Sequence, residues 1–117
     1  MKYVVIEPHR SEYPAPIRFE PGTVLDIGPR YEGEAHWQDW YLCTCPGQQP
    51  GWVPGQLIER IGVGKGRALQ AYCAHELDVD AGHQVEGLWP LNGWLWCRRL
   101  RNGELGWLPE DKLQPLG

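Results

Sequence analysis

Residues 93–109 read GWLWCRRLRNGELGWLP and contain two apolar segments on either side of Asn102-Gly103. The first segment, residues 94–97, is rich in residue types that suit a half-buried pleated strand. Asn-Gly accepts positive φ at turn positions, which makes it the strongest short signal for a hairpin. Residues 104–108 supply the return strand, and Pro109 ends it because proline cannot donate a ladder hydrogen bond. The stretch therefore predicts a β-hairpin.

The same order of residues occurs a second time, upstream, in residues 40–54. The match extends towards the amino terminus, where a Gly closes each of two similar short segments. Repetition of this length predicts an internal duplication, and two copies make a tandem pair rather than a solenoid. The corresponding positions are Trp40 and Trp94, Cys43 and Cys97, 51–54 and 106–109, and 19–22 and 79–82.

The boundary between the copies is predicted at the Gly-rich residues 62–66, which read as a short linker. The predicted domains are residues 1–61, a barrel with longer loops, and residues 66–117. The longer loop of the first copy places 18 positions between Gly22 and Trp40, whereas the second has 12 between Gly82 and Trp94. A unit of this size buries only about 60% of its chain surface. We therefore expect the two units to be packed together.

Composition supports an all-β class and limits the possible partners. The chain has 117 residues with 15 Gly and 11 Pro, and no stretch shows a sustained helical apolar spacing. The formal net charge of −4 disfavours nucleic-acid binding, which needs a basic surface. No apolar run approaches a membrane span, and the first residues are charged too early for a signal peptide. A cytoplasmic monomer is expected.

Four cysteines, Cys43, Cys45, Cys73 and Cys97, raise the question of a disulfide or a metal. Cys43 and Cys97 are equivalent in the two copies, which suits small buried residues kept as free thiols in a reducing compartment. Cys43 and Cys45 could begin a metal site, but zinc sites usually need a second ligand pair and none is evident. We expect no metal and no other cofactor.

An enzyme is the least favoured class. The histidines, His9, His36, His75 and His83, lie in or beside loops and are expected at the surface. The single serine, Ser11, lies in a polar loop, and no nucleophile stands in a recognisable catalytic setting. No Gly-rich phosphate loop follows a strand and opens a helix, so nucleotide binding is also unsupported.

The second copy resembles a Src homology 3 (SH3) domain over nearly its whole length. The shared pattern is an Ala-Leu-x-x-Tyr opening, a Glu-Leu loop, a Gly turn, a Trp and a final Gly-x-x-Pro. The residues that carry it are 68–72, Glu76, Leu77, Gly82, Trp94, Gly106 and Pro109. The first copy is similar through Gly22, Trp40, Gly51 and Pro54 but lacks the opening motif. The whole chain resembles a bacterial group of small tandem SH3-like proteins described as ligand-binding.

This resemblance implies two five-stranded barrels and a shallow aromatic groove for extended, Pro-rich segments. The residues that match the ligand-binding positions of the family are Tyr72, Glu76, Asp78, Trp94, Trp107 and Pro109. The two carboxylates match the acidic loop that holds a basic ligand residue. Gln70 and Lys112 stand where the family has groove tyrosines, and this departure puts ordinary Pro-x-x-Pro recognition in doubt.

The barrel reading also predicts which residues are buried. Six residues of the second copy are expected to fill its core, namely Leu69, Val79, Val85, Leu95, Cys97 and Leu108. Trp94 and Trp107 then remain at the surface, where exposed aromatic rings mark interaction sites. The open alternative is that both rings pack between the barrels, since a small tandem chain gains stability from extra buried area.

The sequence thus favours a non-catalytic binding module. Its expected partner is an extended peptide or protein segment, Pro-rich or basic, bound through the aromatic groove. The alternative is a structural or regulatory subunit that uses its aromatic face on one fixed protein partner.

Overall fold

The computed structural model describes residues 1–11, 15–32 and 39–116. Within these ranges the chain forms twelve strands and two short 3-10 helices, Gly55–Leu57 and Glu110–Lys112, which confirms the all-β class. The strands are β1 (Lys2–Val5), β2 (Arg18–Phe19), β3 (Val24–Arg30), β4 (Trp40–Thr44), β5 (Gly51–Pro54), β6 (Ile58–Gly62), β7 (Lys65–Ala68), β8 (Tyr72–Cys73), β9 (Gln84–Leu91), β10 (Trp94–Arg99), β11 (Leu105–Pro109) and β12 (Leu113–Pro115). No helix in the described ranges is long and apolar enough to cross a membrane.

The chain forms two compact units, and their limits differ from the predicted segments 1–61 and 66–117. The continuous unit is Tyr13–Ala74, and the split unit combines Met1–Glu12 with His75–Gly117. The continuous unit is therefore an insertion between the two parts of the split unit.

The split unit contains a five-stranded antiparallel sheet in the order β11-β10-β9-β1-β12. Its strand β1 comes from the first copy and lies between β9 and β12 of the second copy. Tyr3 is directly opposite Val85 on one side and Pro115 on the other. The second copy thus completes its sheet with the first strand of the first copy.

The continuous unit contains the reciprocal sheet, in the order β5-β4-β3-β7-β6. Strand β7, the first strand of the second copy, lies between β3 and β6, with Gly66 opposite Leu25 and Arg60. Strands β2 and β8 form a separate short antiparallel ladder in the same unit. We call this arrangement the exchanged topology, because each copy gives its first strand to the sheet of the other.

The predicted linker provides the physical reason for the different boundaries. Gly64 adopts φ +68°, which glycine reaches without steric cost, and the segment between β6 and β7 turns back on itself. The Gly-rich residues 62–66 therefore lie in a tight hairpin inside one sheet, and they do not connect two separate barrels.

The core of the split unit confirms five of the six predicted core residues. Leu69 is the exception: it is 55% exposed and belongs to the continuous unit. Side chains alternate along a strand, and the preceding Ala68 takes the inward direction. The buried cluster of the split unit consists of Val5, Leu77, Val79, Val85, Leu95, Cys97, Leu108 and Leu113.

The hairpin predicted from residues 93–109 is present, with β10 and β11 paired from Trp94 opposite Pro109 to Arg98 opposite Leu105. Only Gly103 of the Asn-Gly pair has positive φ, at +76°, so the turn is longer than two residues. A second Asn-Gly pair, Asn92-Gly93, has positive φ at both positions and joins β9 to β10. Strand β9 therefore continues to Leu91, directly before this turn.

The loop that distinguishes the first copy falls partly outside the described residues, since its positions 33–38 are not among them. His36 lies there too. Of the other three histidines, His75 and His83 are partly exposed, whereas His9 is buried, in contrast to the prediction.

Cys43 and Cys97 are completely buried free thiols at equivalent positions on β4 and β10. Burial raises the pKa of Cys43 to about 11 and that of Cys97 to about 12. Cys45 is also buried, and burial raises the pKa of its thiol as well.

These raised pKa values predict a loss of stability in alkaline solution. The unfolded chain releases each thiol proton near pH 9, but the folded chain retains it. The protonated thiols therefore contribute their full stability below pH 9, and the contribution falls as the pH rises towards the folded pKa. We expect the urea midpoint of the native chain to fall more steeply between pH 8 and pH 11 than that of Cys97→Ala. If the urea midpoints of the two proteins fell equally with pH, this link between thiol burial and alkaline stability would be contradicted.

Candidate functional site

Trp94 begins β10 on the face opposite the core of the split unit. The next residues that point inward, Leu95 and Cys97, are buried, and alternation turns Trp94 outward, where its side chain is half-buried. Pro109 is its cross-strand neighbour on β11. The N–H of Glu110 donates to the carbonyl of Gly93 at 3.0 Å, which fixes the following 3-10 helix beside the start of β10.

His9 lies next to Trp94 and is 8% exposed. The two ring centroids are 5.7 Å apart, with an interplanar angle of 77°, which is the edge-to-face geometry that aromatic pairs prefer. His9 and Val79 exchange two backbone hydrogen bonds of 2.9 Å, so the ring position is set by main-chain pairing. The imidazole is therefore held edge-on beside the Trp94 ring.

A polar chain passes through this imidazole. Lys112 Nζ is 3.1 Å from His9 Nδ1, and His9 Nε2 is 2.7 Å from Glu76 Oε1. An ammonium group can only donate, so Nδ1 accepts from Lys112 and the proton of Nε2 is donated to the Glu76 carboxylate. Lys112 also donates to the carbonyl of Pro8 at 3.3 Å. These bonds hold His9 in one tautomer and one orientation.

Leu77 lies between Glu76 and Asp78 and anchors the acidic loop, residues 76–80. Leu77 is fully buried, and its N–H donates to the carbonyl of Trp107 at 3.2 Å. A Cβ on Gly106 would lie 2.8 Å from Leu77 Cγ, so glycine is needed there for the leucine to approach β11. This packing fixes the backbone from which Glu76 and Asp78 project.

The carboxylates of the loop differ in availability. The Glu76 side chain is 15% exposed and bonded to His9. Asp78 is exposed and accepts a hydrogen bond from the Ser11 N–H at 2.8 Å. Arg10 forms an ion pair with Asp80, which lowers the pKa of that carboxyl and raises the pKa of the guanidinium. Asp78 is therefore the carboxylate best placed to meet a solvent-borne cation.

Four of the six predicted site residues, Glu76, Asp78, Trp94 and Pro109, belong to the split unit. Pro109 pairs with Trp94, and His9 contacts both Trp94 and Glu76. Trp107 also belongs to the split unit but is only 3% exposed. Its ring lies 5.1 Å from that of Trp96 and 5.8 Å from that of Trp89. The expectation that Trp107 lies at the surface is therefore wrong, because neighbouring strands cover it with two further indoles.

Tyr72, the sixth predicted residue, belongs to the continuous unit. Its hydroxyl donates to the carbonyl of Trp52 at 3.2 Å, and its ring packs 5.7 Å from Phe19. In the split unit the equivalent position is taken by His9, since His9 pairs with Val79 as Tyr72 pairs with Phe19. Strand exchange therefore places His9, and not Tyr72, beside Trp94.

The equivalent positions of the continuous unit offer less accessible surface. Trp40, which corresponds to Trp94, is 7% exposed, whereas Pro54 and its counterpart Pro109 are both fully buried. Tyr72 is buried as well. A half-buried Trp next to carboxylates thus distinguishes the split unit.

The split unit also has a cleft of about 390 Å³ that contains none of the predicted site residues. Tyr3, Gly87, Leu95 and Glu110 are among the residues that line it. No group of three or more His, Cys, Asp or Glu side chains that could hold a metal occurs within the described ranges.

A family model for the variant SH3 domain matches residues 2–61, more than half of the 117 residues. The chain belongs to the variant SH3 domain family. No match was found among curated proteins or among solved structures. SH3-like domains are in general non-catalytic modules for protein interaction, and this is the functional class that the family indicates.

The matched SH3 range differs from the range in which the sequence resemblance was clearest, residues 66–117. Residues 2–61 contribute β1 to the split unit and β2 to β6 to the continuous unit. The SH3 match ends at residue 61, and the SH3-like character of the second copy remains a prediction.

Proposed function

We propose that this SH3-family chain binds an extended peptide or protein segment in a groove at the half-buried ring of Trp94, beside His9 and the acidic loop. The supporting observation is the half-buried indole of Trp94, held edge-on against His9, whose imidazole is bonded to the Glu76 carboxylate. We also propose that residues 66–117 are a second SH3-like copy, since the five-stranded sheets of the two units have equivalent strand orders.

The groove suggests a mixed ligand chemistry. An exposed part of the Trp94 ring offers apolar area for a proline or another apolar residue, and the extended backbone fits a shallow channel. Asp78 is the carboxylate that best meets a Lys or Arg of the ligand, because Glu76 is already bonded to His9. Lys112 replaces an aromatic wall of the family pattern with a cation, which favours a polar ligand residue at that end.

The Trp94→Ala variant is expected to lose peptide binding while it stays folded. A suitable probe is a synthetic peptide of several prolines flanked by arginines, titrated against the chain while indole N–H signals are followed by NMR. Removal of a central aromatic anchor costs about 2 kcal/mol or more, which is about 30-fold in affinity. The matched control is Trp89→Ala, which removes an indole 39% exposed that lies outside the groove.

Binding is measured below the melting midpoint of each variant, so that stability and affinity are separated. Equal affinity of the native chain and Trp94→Ala, or an equal loss in Trp89→Ala, would contradict the groove assignment. Asp78→Asn should weaken binding less than Trp94→Ala, and its effect should shrink at high salt because the pair is exposed.

The second candidate function is a structural or regulatory subunit with one fixed protein partner. It is favoured by the indoles of Trp89 and Trp96, which leave partly exposed aromatic surface outside the groove. Trp89→Ala distinguishes the two functions, because it should weaken a broad aromatic contact but leave groove binding of the peptide probe unchanged.

A further inference from the structure

The exchanged topology contains two equivalent positions whose residues differ greatly in size, Tyr3 on β1 and Gly66 on β7. Tyr3 is opposite Val85, and Gly66 is opposite Leu25. The next backbone bonds also correspond: the N–H of Gly87 donates to Met1, and that of Ile27 donates to Gly64. Gly87 and Ile27 therefore occupy the same position on β9 and β3.

In the split unit, a large residue on the first strand meets a small one on the neighbouring strand. A Cβ on Gly87 would lie 2.7 Å from Tyr3 Cε2 and 2.7 Å from Leu95 Cδ2. Real Cβ atoms essentially never approach heavy atoms so closely. The Tyr3 ring thus occupies the space that a side chain at position 87 would need.

In the continuous unit the sizes are reversed. A Cβ on Gly66 would lie 2.3 Å from Ile58 Cγ2 and 2.8 Å from Ile27 Cδ1. The two isoleucines therefore fill the space above Gly66, and no larger residue fits there without displacement of its neighbours.

If each first strand paired within its own copy, the side-chain sizes would no longer match at either of these two positions. Tyr3 would replace Gly66 against Ile27 and Ile58, where even a methyl group is too large. Gly66 would replace Tyr3 against Gly87 and leave the volume of the ring empty. Overpacking and cavities both destabilise a packed interior.

The next inward-facing position on each first strand shows the same difference in side-chain size. Val5 and Ala68 are equivalent and buried in their respective units. Exchange back would bring the larger Val5 into the continuous unit and leave the smaller Ala68 in the split unit. Both positions thus disfavour the unexchanged topology, in which β1 would pair with β3 and β6, and β7 with β9 and β12.

We propose that the pairs Tyr3–Gly87 and Gly66–Ile27 act as a size code that selects the exchanged topology. The code also determines the composition of the groove. It brings β1, and with it His9, into the split unit beside Trp94, and it leaves Tyr72 in the continuous unit.

Engineered disulfides report which topology forms. Val4 lies opposite Gln84 in the exchanged topology, at a position without direct ladder bonds, where Cα atoms are about 4.5 Å apart and a disulfide can form. In the unexchanged topology Val4 would lie opposite Val24, which now faces Arg67. Val4→Cys is therefore combined with either Gln84→Cys or Val24→Cys, and the bridge is located by mass spectrometry of peptides.

Both cysteine pairs are placed in the full native chain and in the swapped chain, Tyr3→Gly with Gly66→Tyr. All proteins carry a flexible Gly-Ser insert of about eight residues after the fully exposed Val63, so that either topology can be spanned. We expect the 4–84 bridge in the native chain and the 4–24 bridge in the swapped chain. A swapped chain that retains the 4–84 bridge, or that folds in neither topology, overturns the proposal.

A milder pair of variants tests the steric part alone. Gly66→Ala should lower the melting midpoint clearly, whereas Gly62→Ala on the adjacent β6 should leave it nearly unchanged, because a Cβ there would lie 4.0 Å from Lys65 Cβ, an ordinary contact distance. Addition of Ile27→Ala and Ile58→Ala should reduce the effect of Gly66→Ala. Equal midpoints for Gly66→Ala and Gly62→Ala would also overturn the size code.

Discussion

Removal of residues 1–5 is expected to unfold the split unit and to leave the continuous unit folded. The deletion removes β1 from between β9 and β12, so that both lose a hydrogen-bonded neighbour. It also removes Val5, which is 1% exposed, from the buried cluster. A small unit has only a few kcal/mol of stability, and the loss of an interior strand exceeds it.

The indole N–H signals separate the two units in this experiment. Signals of Trp94, Trp96 and Trp107 should collapse to random-coil positions in the shortened chain, whereas those of Trp40 and Trp52 should stay dispersed. The isolated segment 13–74 is the control for the native shifts of the continuous unit. Retention of native shifts by Trp94 in the shortened chain would contradict the assignment of β1 to the split unit.

Leu77→Ala is expected to destabilise the split unit by about 3 kcal/mol, since it empties a fully buried leucine site. The variant also loosens the acidic loop, because Leu77 packs against Gly106 and holds the backbone beside Trp107. Chemical denaturation followed by the fluorescence of the tryptophans measures the change in unfolding free energy.

Leu69→Ala is the matched control for this substitution. The sequence predicted that Leu69 belongs to the core, but it is 55% exposed. Its replacement should change the unfolding free energy by no more than about 0.5 kcal/mol. A loss for Leu69→Ala as large as that for Leu77→Ala would show that the core of the second copy includes position 69 after all.

The core residues Val85, Leu95 and Leu108 were predicted from the barrel that the SH3 resemblance implies. Local signals in the sequence predicted the hairpins, and Asn102-Gly103 located the turn between β10 and β11. Asn92-Gly93 is the same dipeptide and could have predicted the other hairpin. Such features depend on neighbours within a few residues, and they are readable for that reason.

The partner of a first strand is not a local property. Tyr3 and Val85 pair across 82 positions, and either copy offers β1 the same backbone hydrogen bonds. Only the sizes of side chains at facing positions separate the alternatives. The register that brings those positions together is known only from the structure. The sequence alone therefore led to a prediction of two consecutive domains, with the Gly-rich turn interpreted as a linker.

The same difference between local and long-range features applies to the candidate site. Trp94, Pro109 and the acidic loop lie within one copy, and their proximity follows from strand order in that copy. Tyr72 was expected among them, but the exchange replaces it with His9, from the other end of the chain. Trp107 is buried because β9 continues past Gly87 and brings Trp89 next to it.

The most direct test of the exchanged topology is the set of nuclear Overhauser contacts between Hα protons of facing strands in the native chain. Directly opposite residues without ladder bonds bring these protons close together. The exchanged topology predicts contacts of Val4 with Gln84 and of Arg67 with Val24. Contacts of Val4 with Val24 and of Arg67 with Gln84 would instead show that each copy keeps its own first strand, and would contradict the exchange.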